Sequence, residues 1–205
     1  MKRLNILRRI AILPVILALA AGAPARAATS PTELIGQFHS ALLEVMKEAK
    51  TTNIQQRFKM LEPTIEHSFY LPLMIQVASG SHWKDISEPK RAELIAAFGR
   101  MSVGTYASRF DGYSGESFKT IGAVQGPGST VLVKSQILRP GKAPVDLTYV
   151  TKKFGEEWRI VDVLLDNGIS ELAVRRSEYH RILVNGGVDR LIQALNEKTA
   201  ALIKP

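Results

Sequence analysis

The spacing of apolar residues changes twice along this chain, and the order of those changes limits the fold more than any motif does. Over residues 31–111 apolar side chains recur at helical spacing, over 116–166 they tend to alternate, and over 169–203 the helical spacing returns. Strands that follow one another through short turns predict an antiparallel meander. Helices before and after it predict an α+β domain, with the helices laid on one side of a curved four-stranded sheet.

The helical segments carry their own punctuation. Ser30-Pro31-Thr32-Glu33 reads as a capping box, with Leu34, Ile35, Phe38, Leu42, Val45 and Met46 on one face of the helix that follows. A second helix is expected over 53–62, with Ile54, Phe58 and Leu61 inward. Pro63 and Pro72 are expected to cut the next stretch into short pieces ending at Gly80, because proline lacks an N–H donor and restricts the residue before it. Trp83 then falls in a linker. Ser87 caps a further helix, Pro89 lies in its first turn, and Leu94, Ile95, Phe98, Met101, Tyr106 and Phe110 form its stripe.

Strands are expected over 117–121, 130–138, 145–153 and 157–165, with turns at Gly126-Pro127-Gly128, Pro140-Gly141 and Gly155. Alternation puts Val131, Val133 and Ile137 on one face against Lys134 and Gln136, and Val145, Leu147 and Tyr149 against Asp146 and Thr148. Ser170 caps a helix through Leu172, Tyr179, Ile182 and Leu183. Asn185-Gly186-Gly187 should stop it before a last helix bearing Val188, Leu191, Ile192, Leu195 and Leu202.

Residues 1–27 read as a signal peptide. Lys2, Arg3, Arg8 and Arg9 make a basic head, an apolar run covers 10–21, and Ala25-Arg26-Ala27 fits a signal-peptidase site. The run is shorter than the roughly 20 residues that a membrane span needs, so cleavage is the expectation and an uncleaved anchor the alternative. The leader holds five of the basic residues and no acidic one. Without it the net charge of +8 falls to +3, from 22 basic and 19 acidic residues. The pI therefore gives no support to a nucleic-acid partner. Residues 28–205 suit one domain.

The chemistry in the sequence is sparse. Absence of cysteine excludes disulfides and thiol catalysis. Gly112-Tyr113-Ser114-Gly115 is one residue short of a nucleophile elbow, and no phosphate loop is present. His39, His67, His82 and His180 include no pair at i, i+4 ligand spacing, so no metal site is predicted. Asp162 and Asp166 could form a carboxylate pair at the end of a strand; the plainer reading makes Asp166-Asn167-Gly168 a turn and gives Asp162 a backbone or arginine partner. Arg175 and Arg176, near Glu178 and Arg181, are either a solvated helix face or a site for an anionic headgroup.

The ordered series Trp158-Arg159-Ile160-Val161-Asp162-Val163, Gly168-Ile169-Ser170, Arg176-Ser177-Glu178-Tyr179 and Gly187-Val188-Asp189-Arg190-Leu191-Ile192 resembles the MlaC family of periplasmic lipid-binding proteins, also called the toluene-tolerance family. Gly80 followed by Trp83, and then Phe98, Tyr106 and Phe110, agree with the family's spacing. The chain departs from it at Tyr70, where an acidic residue is usual, and at Val174-Arg175-Arg176 in place of Asn-Tyr-Arg. Residues 168–179 look closest to the HpnM branch, associated with hopanoids.

The resemblance implies a sheet and helices around an apolar cavity. Its candidate lining residues are Phe69, Leu73, Phe98, Tyr106, Phe110, Val131, Val133, Ile137, Val145, Leu147 and Tyr149, with Arg175 and Arg176 as headgroup candidates. It also implies a phospholipid or hopanoid as ligand, inner- and outer-membrane transport complexes as partners, transient contact with membrane surfaces, and no catalytic residue, metal or cofactor. Two other readings stay open. One is a pocket enzyme of isomerase or dehydratase type using Tyr149 and Asp162; the other is a subunit that docks onto a membrane complex and carries nothing.

Overall fold

The computed structural model describes residues 30–165 and 168–204. The expected signal peptide and Asp166-Asn167, where a turn is expected, lie outside the described residues. Helix α1 (Pro31–Glu48) starts at the expected capping box: Ser30 Oγ accepts from the Glu33 N–H at 3.2 Å, and Glu33 accepts from the Ser30 N–H at 2.7 Å. Helix α2 (Ile54–Ser68) opens on a second such box, between Asn53 and Gln56.

Pro63 acts differently here from the sequence expectation, while the break beside Pro72 and the end at Gly80 hold. Helix α2 runs straight through Pro63. A missing N–H removes one hydrogen bond, but Leu61 and Ile65 on either side are fully buried, and ending the helix there would forfeit their packing. Pro72 sits in the first turn of α3 (Leu71–Ser79), where the N–H would be unbonded anyway, so it starts a helix. Trp83 lies within a 3₁₀ helix, Gly80–Asp85, in place of the expected linker.

Helix α4 (Glu88–Arg109) is the centre of the helical layer, packed between α2, α3 and α5 (Glu171–Leu202). Leu94, Phe98 and Met101 are buried as expected, and so are Ala97, Gly99, Ser102, Val103, Gly104 and Thr105 around the rest of its circumference. The small residues let neighbours approach closely. A Cβ on Gly99 would lie 3.3 Å from the Leu71 side chain. Helix α5 bends at Gly187, whose φ of +66° and ψ of −167° leave the helical region, then resumes at once. The expected stop falls here, and a second helical stretch follows it across a kink.

Among the described residues the sheet has five antiparallel strands in sequence order, one more than expected: β1 (Ser117–Gln125), β2 (Thr130–Arg139), β3 (Lys142–Phe154), β4 (Glu157–Leu165) and β5 (Ile169–Ser170). The fifth is two residues long, too short for alternation to show. Strand β1 continues past residue 121 because a register shift between Thr120 and Gly122 restarts its pairing with β2, and that shift breaks the period-two pattern. Val133 lies opposite Tyr149, Ile137 opposite Val145, and Tyr149 opposite Val163. These residues share the face that the helices cover.

Candidate functional site

An aromatic chain joins the helices to the sheet. The Phe38 ring meets Phe69, Tyr106 and Tyr149 edge-on, at centroid distances of 5.3, 5.4 and 6.0 Å. Tyr106 stacks on Phe110 at 5.8 Å, and Phe110 reaches Phe118 at 6.2 Å. At that end His39 stacks on Phe118 at 4.4 Å, and its Nε2 is 3.0 Å from the Tyr149 hydroxyl. Burial pulls the His39 imidazole down to about 4, so the ring is neutral at neutral pH. Burial likewise pushes the Tyr149 phenol well above its ordinary range, and the His39 ring and the Tyr149 hydroxyl satisfy each other.

The other end of the interior is not filled. A narrow, partly open cavity of about 20 Å3 lies where α2, α3, α4, β4 and α5 meet, walled by Ile65, Phe69, Met74, Phe98, Tyr106 and Val163 among others. Ser102 and Thr105 leave the space open. Their hydroxyls donate back to the carbonyls of Phe98 and Met101 at 2.8 Å, so they present small, internally satisfied surfaces to the cavity. Burial, aided by the charge of Glu171, pushes the Tyr106 phenol well above its ordinary value.

Charge closes this cavity on the solvent side. Glu171 and Arg175 stand in its wall and also in the wall of an open groove of about 240 Å3, shared with Arg109, Leu165, Ile169, Val174, Glu178 and Lys198. Arg109 donates to Glu171 Oε1 at 3.0 Å and Arg175 to Oε2 at 3.4 Å. Arg175 also lies 3.4 Å from the Tyr179 hydroxyl and 5.9 Å from the centre of the Phe98 ring. A groove of about 690 Å3 at the bend of α5, lined mainly by Glu178, Arg181, Asn185 and Arg190, is too open to shield an apolar ligand.

The structure sorts the candidate residues into groups. Phe69, Phe98 and Tyr106 line the cavity, and Arg175 stands at its mouth. Val133, Leu147 and Tyr149 are buried in the filled core beside it; Phe110, Val131, Ile137 and Val145 pack half-buried against that core. Leu73 is half-buried, and its neighbour Met74 is the residue on the cavity wall. Arg176 is exposed and lies over Gly80, away from the mouth. Ser102, Thr105 and Glu171 were missed. Small polar residues at positions 102 and 105, on the same helical face as Phe98 and Tyr106, are the signal that could have found the first two.

Asp162 and Tyr149 do not converge. Asp162 pairs with Val150, one position along from Tyr149 and therefore on the opposite face. Its carboxylate accepts from the Leu172 N–H at 3.2 Å, the Val163 N–H at 2.8 Å and the Ser170 hydroxyl at 2.5 Å. It therefore braces the first turn of α5. His82 and His180, distant in sequence, come within 3.1 Å on the surface. Among the described residues no group of three His, Asp or Glu is placed to hold a metal.

A family model described as the MlaC protein matches residues 37–197, most of the chain. The chain belongs to the MlaC family. No curated protein matches it. Among solved structures it is similar to a phospholipid-binding protein from Ralstonia solanacearum, in complex with a phospholipid, at 20% identity and a TM-score of 0.72. That match covers 83% of this chain and 97% of the other, so the two share their fold over nearly the whole of the Ralstonia protein. Among the described residues no helix is long and apolar enough to cross a membrane.

Proposed function

We propose that this MlaC-family protein is a periplasmic lipid carrier, exported by cleavage after Ala27, which shields lipid chains between its helices and sheet in transit between envelope transport complexes. The observation that carries this reading is the narrow cavity, lined mostly by apolar side chains, that opens toward a charged groove past one pair of residues, Glu171 and Arg175. Membership of the family and the shared fold with a phospholipid-bound protein support it. At ~0.8 kcal/mol per buried methylene, two long acyl chains left in water cost on the order of 20 kcal/mol. A carrier must nearly match that burial and still release its load, and this asks for apolar surface and mobile walls rather than catalytic groups.

A cavity of about 20 Å3 holds roughly one water, so an acyl chain enters only as the walls part. The nearly filled interior is also what a docking subunit that carries nothing would have. Mass spectrometry of organic extracts, from protein purified out of its own envelope, separates the two. Near-stoichiometric glycerophospholipid or hopanoid supports the carrier and names its load; protein free of lipid overturns it. Sequencing the exported form should find Ala28 first.

A further inference from the structure

We propose that Glu171 is a displaceable latch at the mouth of the cavity, and that the ligand which displaces it is a lipid with an anionic phosphate headgroup. The inference rests on the carrier reading above and deepens it.

Glu171 bridges two guanidinium groups from different helices, Arg109 near the end of α4 and Arg175 one turn along α5. Both Glu171 and Arg175 border the cavity on one side and the groove on the other, so the bridge stands across the path between them. Arg175 is a poorly partnered cation. Its side chain is 15% exposed, and beyond Glu171 it meets only weak acceptors: the Tyr179 hydroxyl and the Met101 sulfur, each at 3.4 Å, and the face of Phe98. A guanidinium offers five N–H donors in a fixed fork, and the Glu171 contact at 3.4 Å is long for a charged pair. The site is short of acceptor oxygens.

A phosphate diester supplies them. It carries one negative charge on two non-bridging oxygens, as a carboxylate does, so one anion still faces the two arginines, and an untethered phosphate can reach Arg175 more closely than the 3.4 Å of the Glu171 contact. The released carboxylate has Lys198 on the same groove wall, which also carries Glu178. Ile169 and Val174, 58% and 57% exposed, give that groove an apolar lip where the upper part of the lipid chains can rest. A lipid without phosphate can fill the cavity but cannot replace Glu171 on the two arginines.

The test uses the delipidated full mature chain, titrated with dioctanoyl phosphatidylglycerol and with dioctanoylglycerol, which share chains and differ in the phosphate. We expect Glu171→Gln to increase the preference for phosphatidylglycerol over dioctanoylglycerol about tenfold, because the competing carboxylate is gone. Arg109→Gln, at a side chain 58% exposed and so safe for folding, should reduce that preference several-fold. If both variants keep the wild-type preference, the latch is wrong and the carrier reading stands. If the wild type binds neither lipid, the carrier reading itself fails. Inorganic phosphate is the third probe: binding of phosphate alone as tightly as phosphatidylglycerol would overturn a lipid headgroup as the ligand, and failure of millimolar phosphate to compete supports it.

Discussion

The two ends of the interior have similar apolar linings and opposite endings. At the sheet end the aromatic chain closes on His39 and Tyr149, a neutral pair that satisfies itself, and the space is filled. At the α5 end it closes on Tyr106 and Phe98, a cavity remains, and the boundary is an ion pair that faces solvent. A neutral pair sealed among rings gains nothing from a ligand. Charges on the rim of an unfilled space do. The difference teaches that apolar lining alone does not mark a binding site; what terminates the lining does.

The largest effect should come from breaking the filled end. Phe38 is fully buried and touches four rings, so Phe38→Ala should destabilise by ~3–5 kcal/mol, read as a fall in the urea midpoint. A loss below ~1 kcal/mol would show that this end is as loosely filled as the other.

His39 makes the filled end sensitive to acid. Above pH 6.5 the ring is neutral in both folded and unfolded chains. Between pH 6.5 and about 4 the unfolded chain takes up a proton that the folded one refuses, so stability falls as pH falls, by on the order of 3 kcal/mol in all. Below about 4 both forms are protonated and the loss stops growing. His39→Gln should flatten that part of the curve, measured as unfolding free energy of wild type and variant from pH 7 to 4. Parallel curves would mean that the His39 pocket admits water.

Bulk added at each end sharpens the comparison further. Val133 is fully buried opposite Tyr149 and absent from the cavity wall, so Val133→Trp should overpack the core and cost ~1–3 kcal/mol. Ser102→Val, on the cavity wall, should leave the melting temperature within a few degrees while reducing lipid uptake from vesicles. Equal loss of stability in both would erase the distinction. The smallest effect is expected at the boundary between sheet and helix: Asp162→Ala removes a brace of α5 and should cost ~1 kcal/mol without changing any chemistry, checked by thermal melting.

Much of this architecture was legible in advance where one residue's neighbours in sequence are also its neighbours in space. The capping box at Ser30 and Glu33 is four residues long, and the faces of β2 and β3 follow from the alternating geometry of a strand. Pro63 failed as a breaker because the burial of Leu61 and Ile65 outweighed one lost hydrogen bond. Strand β5 and the far half of β1 were hidden by brevity and by a register shift. At the site, Phe69, Phe98 and Tyr106 could be nominated from the family resemblance. Glu171 could not, since its meaning depends on Arg109, 62 positions away.

By itself, then, the sequence determined the order of helix and strand, the faces of the central strands and the family, because periodicity, caps and turns are local and the family's series of residues is linear. Only the tertiary structure decided that His39 meets Tyr149, that Asp162, on the face opposite Tyr149, braces the start of α5, and that Arg109, Glu171 and Arg175 share one mouth. Those contacts join residues far apart in the chain. They exist because burying the faces of α4 and of the sheet brings the helices into one layer, and nothing in the local pattern records which side chains then come together.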